Sequence, residues 1–260
     1  MRTKFHVVLA SYACPLVNPP AQRHLFENKI HNIQLAIGRM LPLVLQPGQN
    51  FSFWQYALEP IVENGYCDGA MFVNGKVTTS VGGGLCQLSG LIYNLALLAG
   101  LEMVERHNHS IDAYGEERYI PLGRDATVAY GHKDLQFRNP HEFAIELELR
   151  VNEKEASGIV RGTRALNFAV SIETELTRTI PARIKTIADP TLGLGEEIVE
   201  PGLTGKIVHA WRICESPGQP PRRQHLSRDR YRETRTIRRM GSAGAVPWTA
   251  RVLARLGWHG

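Results

Sequence analysis

Residues 81–101, VGGGLCQLSGLIYNLALLAGL, set three glycines and a cysteine directly before an apolar run with a helical period. Leu88, Leu91, Ile92, Leu95, Leu98 and Ala99 cover most of the circumference of a helix from Cys86 to Ala99. An element apolar on nearly every side belongs in the middle of a protein. Gly100 supplies the left-handed residue that closes it. At the other end, Gly82, Gly83 and Gly84 permit backbone angles and close approaches that a side chain would block. Cys86 falls on the first turn, where unpaired N–H groups and the positive end of the helix dipole favour an anion. A thiol mounted there loses its proton more readily, and the thiolate is the reactive form.

Upstream of that helix, Phe26, Ile30, Ile33, Ile37 and Met40 are spaced four, three, four and three, lining one face of a helix from about Gln22 to Leu41. Pro42 and the later Pro47-Gly48 stop it. In MFVNGKVTT, Asn74-Gly75 is a type I′ turn signal between two strands. Downstream the period changes from 3.6 to 2. Phe143, Ile145, Leu147, Leu149 and Val151 alternate with Glu146, Glu148 and Arg150, which predicts a strand with one wet face. Further strands are expected near 124–138, 167–174 and 206–213. Helices first and a largely antiparallel sheet later define an α+β fold, with the Gly-Gly-Gly-Leu-Cys helix packed centrally on the sheet. Three parts are expected: a helical segment over 1–46, an α+β domain over 47–215, and a basic Pro/Arg-rich extension over 216–260. That extension is read as irregular, ending in a short helix around Trp248–Leu256.

With 43% hydrophobic and 21% charged residues, the composition is that of a globular protein and excludes wholesale disorder. No apolar run reaches the roughly eighteen residues that span a bilayer. The first residues, MRTKFHVVLASYACP, are too brief and too interrupted for a signal peptide, so a cytoplasmic location is expected. Four scattered cysteines, at 14, 67, 86 and 214, make no disulfide framework. The net charge of +5 is concentrated between Arg222 and Arg239, which hold eight arginines against two acids. Without interleaved aromatics or a recognition motif, that block reads as a solvated segment and no nucleic-acid partner is expected.

The chemistry centres on the thiol. In GLEMVERHNHS, His107 and His109 lie two residues apart, on one face if the stretch is a strand, and either could reach Cys86. A nucleophile, a base and an orienting acid is the logic of covalent acyl transfer. The acid is Asp134 in KDLQFRN or Asp125 in GRDATV, with Asp112 in a more loop-like stretch. The rival chemistry is a metal held by Cys86, the two histidines and Cys67. No Cys-x-x-Cys or His-Glu-x-x-His spacing supports it, and no metal or cofactor is expected. The glycines are no phosphate loop, because neither a Lys-Ser/Thr pair nor a third fingerprint glycine follows.

From Pro47 to about Asn139 the chain resembles the VanW family, named for an accessory protein of vancomycin-resistance clusters. PGQNFSFW, GYCDGAMFVNGKV, VGGGLCQLSGLIYN, LEMVERHNHS, GRDATVAY and DLQFRN carry the resemblance. It implies a bacterial protein of the cell-wall antibiotic response. Some exported members look like L,D-transpeptidases that use the cysteine of this motif. Carried over, Cys86 is the acyl acceptor and His109 its general base. The glycine loop and helix-start N–H groups become an oxyanion site. Gly83, Gly84, Gln87, Arg106, His107 and Asp125 are then expected to contact the substrate, a peptidoglycan-type peptide or precursor. This chain differs in carrying Trp54 where many members have Asn, a feature of short single-domain members, for which an accessory role is the alternative. An enzyme needs Cys86 accessible beside His109, whereas a scaffold buries the thiol without a polar neighbour.

Overall fold

A computed structural model describes residues 4–16, 23–73, 76–115 and 118–243. In chain order these form β1 (Val7–Pro15), α1 (Arg23–Met40), β2 (Leu43–Leu45), β3 (Asn50–Ser52), α2 (Phe53–Ala57), β4 (Asp68–Val73), β5 (Lys76–Val81), α3 (Leu85–Leu98), β6 (Glu102–Glu105), β7 (Gln136–Arg138), β8 (Ile145–Val151), β9 (Glu155–Gly162), β10 (Ala169–Ile180), β11 (Ile184–Gly193), β12 (Glu197–Glu200), β13 (Gly205–Glu215), β14 (Arg222–Tyr231) and β15 (Thr236–Ala243). The fold is α+β with mostly antiparallel sheets. No helix among the described residues is long and apolar enough to cross a membrane.

The chain divides into two compact units, Met1–Thr179 with Lys206–Arg232, and Ile180–Gly205 with Glu233–Gly260. In the first, α3 lies against β1 and β9 of a four-stranded sheet of order β1-β9-β8-β2. Ile145, Leu147 and Leu149 of β8 point into the core while Glu148 pairs with Arg161 on the wet face at 2.5 Å, as the alternation requires. The α1 face of Phe26, Ile33, Ile37 and Met40 is buried in the same core. A second sheet, β3-β7-β6, adds Phe51 and Phe137, whose rings stack at 4.6 Å. A third, β10-β13-β14, pairs Lys206 of β13 with Tyr231 of β14. In the second unit the described strands form a sheet of order β11-β15-β12, with β15 parallel to β11 and antiparallel to β12.

Several sequence expectations change. The first 46 residues hold β1 and β2 as well as the helix, because Val7–Pro15 finds an antiparallel partner in β9. Within 124–138 only β7 and a bridge from Ala129 to Lys133 are strand-like. Residues 124–126 are instead held along α3, whose polar side chains take their carbonyls: Ser89 Oγ donates to Ala126 O at 2.7 Å and Asn94 Nδ2 to Arg124 O at 2.9 Å. The arginine-rich stretch read as irregular forms β14 and β15, each paired along its length. The Asn74-Gly75 turn and the Trp248–Leu256 helix lie outside the described residues, although the strands flanking the turn pair in register from Val73 and Lys76.

The loop before α3 is fastened by one buried amide. Asn32 of α1 donates to Cys67 O at 2.9 Å and Gly83 O at 3.0 Å, and accepts from Cys67 N at 2.8 Å. Asn32→Ala strands these buried groups, and a loss of about 2–4 kcal/mol in urea unfolding is expected from the hydrogen bonds forfeited. A variant as stable as the parent would contradict this fastening role.

Candidate functional site

Cys86 sits on the first turn of α3, half-buried. Its Sγ lies 3.4 Å from Thr127 Oγ1 and 3.6 Å from Val128 O, and His109 is near enough to favour its thiolate. His109 follows β6 in an irregular segment. Its Nδ1 is 2.6 Å from Asp125 Oδ2, and the same carboxylate oxygen accepts the His109 backbone N–H at 2.8 Å. With Nδ1 taken by the carboxylate, Nε2 is the nitrogen left for the thiol. Thiol, imidazole and carboxylate thus lie in series.

Asp125 is itself held from several sides. Tyr231 of β14 donates its hydroxyl to Oδ1 while accepting from Gly123 N at 2.9 Å. Arg106 lies 3.4 Å from Oδ1, donates through Nε to the Asp125 carbonyl at 2.8 Å, and through Nη1 to Asp229 at 2.6 Å. The guanidinium packs over the Tyr93 ring of α3 at 5.0 Å.

The charges follow from this wiring. Burial pushes the Cys86 thiol up, but the hydrogen bond and charge of His109, helped by Thr127, bring it down to about 7. Burial acts to lower His109, yet its bonds to Asp125 and Cys86 raise it to about 10. For Asp125 burial works upward and is outweighed by His109 and Arg106, which hold the carboxyl down at about 2. Burial and the neighbouring Asp125 charge push the Tyr231 phenol well up, so it remains a donor at every working pH. Between about pH 7 and 10 the stable form of the pair is thiolate with imidazolium.

The structure sorts the sequence-predicted residues. The acid beside His109 is Asp125; Asp134 instead accepts from Ser52 Oγ at 2.6 Å, Trp54 N at 3.2 Å and Gln136 Nε2 at 3.1 Å, fixing the start of α2. His107 and His109 do not share a strand face, since β6 ends at Glu105. His107 bonds Glu105 at 2.9 Å and leaves His109 alone with the thiol. Gln87 is buried and donates to Pro15 O at 2.7 Å, tying α3 to β1 rather than facing a ligand. At Gly83 a Cβ would stand 2.4 Å from the Gly69 backbone, and Gly84 begins the helix at φ +106. Both glycines serve the mounting of the helix. Arg106 is buried behind Asp125. Thr127 and Tyr231 were not foreseen.

Among helix-start N–H groups, those of Gly83, Leu85, Gln87 and Leu88 have backbone acceptors. Those of Gly84 and Cys86 bond to no described residue. No group of three or more His, Cys, Asp or Glu side chains among the described residues is arranged to hold a metal ion.

An α+β domain that presents a helix-start thiol to a histidine backed by a buried carboxylate has the layout of a cysteine acyl-transfer centre. The chain belongs to the VanW family: the family model described as VanW like protein matches residues 28–160, which include Cys86, His109 and Asp125 but not Tyr231. It is 33% identical over 135 residues to the vancomycin B-type resistance protein VanW of Enterococcus faecalis, covering 52% of this chain and 49% of that one. It is 35% identical over 115 residues to the uncharacterized protein YoaR of Bacillus subtilis, covering 44% and 37%. The chain thus spans half or less of the length of these relatives. Local likenesses join it to an IgA1 protease G5 domain (TM-score 0.24, 23% identity, 29% of this chain and 90% of that one). A second is to the HP0197 G5 domain (TM-score 0.19, 20% identity, 28% and 97%).

Removing His109 leaves burial acting on the thiol. In His109→Ala the pH midpoint of Cys86 alkylation by iodoacetamide is expected to rise from about 7 to above the ordinary thiol value of about 8.5. Labelling at neutral pH then slows by at least about tenfold. Tyr231→Phe, which takes one donor from Asp125 without neutralising it, is expected to shift the midpoint by less than about one unit, and Asp134→Asn not at all. A midpoint indifferent to His109 would sink the pairing.

Proposed function

We propose that the protein is a cysteine-dependent acyl transferase or amidase of L,D-transpeptidase type, acting on peptidoglycan-type peptides within a cell-wall or glycopeptide-antibiotic response. The observation that carries this reading is the placing of His109 beside Cys86 and 2.6 Å, through Nδ1, from the Asp125 carboxylate. The cell-wall setting is supported by the family and by the name of the enterococcal relative.

Cys86 Sγ attacks the carbonyl carbon of the donor peptide, and the carbonyl oxygen takes the negative charge. We assign the Cys86 N–H, uncommitted among the described residues, as the donor to that oxygen. The imidazolium of His109 protonates the leaving amine as the C–N bond breaks, which leaves a thioester on Cys86 and a neutral imidazole. An incoming amine, or water in the amidase case, then attacks the thioester. His109 accepts its proton, and the acyl group departs to the new partner with the thiolate restored. Asp125 stays ionised throughout, holding the ring's tautomer and compensating its charge.

Incubation with peptidoglycan-type stem peptides is expected to add one acyl group to the intact protein, mapped by mass spectrometry to Cys86. The adduct is expected to be absent in Cys86→Ala. In His109→Ala its formation should slow by two or more orders of magnitude, the usual range for losing a general acid–base group. A reactive Cys86 that takes no acyl group from any such peptide would point to an accessory or binding protein instead.

A further inference from the structure

We propose that the Thr127 hydroxyl is a second oxyanion donor, which holds the Cys86 sulfur before attack and passes to the substrate's carbonyl oxygen as the negative charge moves there. This rests on Cys86 being the acyl-accepting nucleophile, and not on the identity of the acyl donor. Thr127 Oγ1 lies 3.4 Å from Cys86 Sγ, and that sulfur is its one side-chain partner among the described residues.

The contact changes character with the charge on sulfur. In the neutral thiol either atom can donate, and the S–H also has Val128 O to receive it at 3.6 Å. A thiolate carries no proton, so Thr127 is then the donor and Sγ the acceptor, while Val128 O, an acceptor only, offers the sulfur nothing. When Sγ attacks a carbonyl carbon, its electron pair forms the S–C bond and the C=O π pair moves onto oxygen. The charge leaves the atom that Thr127 touches and arises on an atom two bonds away. A hydroxyl hydrogen turns about its own C–O bond, so it follows the charge while Oγ1 stays in place. As the intermediate collapses, the bond to the leaving group breaks and the C=O re-forms. The Thr127 proton is shared throughout and never transferred.

A donor is effective when it needs no rearrangement at the moment of reaction. Thr127 is held on both sides. Its N–H donates to His107 O at 2.8 Å, and Ala126 O, the carbonyl before it, accepts from Ser89 of α3 at 2.7 Å. Ser89 Oγ also lies 3.1 Å from Cys86 O, so one side chain spans the hydroxyl's segment and the residue it serves. The β-branched side chain has few positions to choose from. With the Cys86 N–H already assigned to the oxyanion, Thr127 brings a second donor from the segment that faces the sulfur.

Alkylation and acylation of the same sulfur separate this role from any effect on the thiol itself. Iodoacetamide reacts by displacement at a saturated carbon and forms no oxyanion, whereas p-nitrophenyl acetate acylates through one and releases p-nitrophenolate. Both rates are taken on the alkaline plateau of each protein's alkylation profile. The folded wild type is expected to exceed the unfolded chain in its acylation-to-alkylation ratio by at least about tenfold. In Thr127→Val, which keeps the branched shape, the ratio is expected to fall by at least about tenfold, and Thr127→Ser should restore most of it. A depressed alkylation midpoint retained in Thr127→Val shows that its Cys86–His109 pair is intact, so the fallen ratio is not that of an unfolded thiol. A wild-type ratio equal to that of the unfolded chain, a Thr127→Val ratio equal to wild type, or a Thr127→Ser ratio as low as that of Thr127→Val overturns the donor. Thr127-dependent acylation by the ester in a protein that takes no stem peptide supports the donor while the peptidoglycan reading falls. A Cys86 inert to both reagents overturns the nucleophile and the donor together.

Discussion

The buried carboxylate of Asp125 is the interaction on which the rest of the site depends. It receives the His109 ring, the His109 main chain and the Tyr231 hydroxyl, and it lies beside the Arg106 guanidinium. A carboxylate so deeply placed would ordinarily be driven toward its neutral form. Here the surrounding donors and cations keep it charged, and that charge raises His109 and, through it, lowers Cys86. The thiol's acidity is therefore set two residues away from the sulfur, by the packing of an arginine and a tyrosine around an acid.

Three parts of the chain must come together for this to happen. The helix start supplies Cys86, and its position depends on glycines that let the loop pass against Gly69 and on Asn32 pinning Cys67 and Gly83. The irregular segment from 124 to 128 supplies Asp125 and Thr127 and is fastened to α3 by Ser89 and Asn94. Asp229 and Tyr231 of β14 come from beyond the region matched by the family model, yet they brace Arg106 and Asp125. The site is consequently larger than the sequence motif that reveals it.

How much of this was legible in the sequence differs from element to element. The periodicities of α1 and β8 were readable because each buries one face of a regular element, and burial writes its period directly into the residues. Cys86 and His109 were readable because thiol, glycines and histidine pair are chemically uncommon together. The choice between Asp125 and Asp134 was not, since both follow His109 at plausible distances along the chain and only the path of the loop decides. The polar residues Ser89 and Asn94 on an otherwise apolar helix were the available sign that a non-strand segment runs alongside it. For Tyr231 there was no local sign: a lone tyrosine among arginines, more than a hundred residues from Asp125, becomes a partner only through the pairing of β13 with β14. The same arginine-rich stretch looked solvated because its charge is conspicuous while its alternation is not.

The measurement that tests the central claim most directly is an NMR titration of the His109 imidazole in the wild type and in Cys86→Ala. A thiolate–imidazolium pair predicts that His109 keeps its proton well past neutrality and releases it toward about pH 10. It also predicts that removing the thiol moves this release downward. A His109 that titrates near the ordinary value of about 6.5, and does so identically with and without Cys86, would contradict the account.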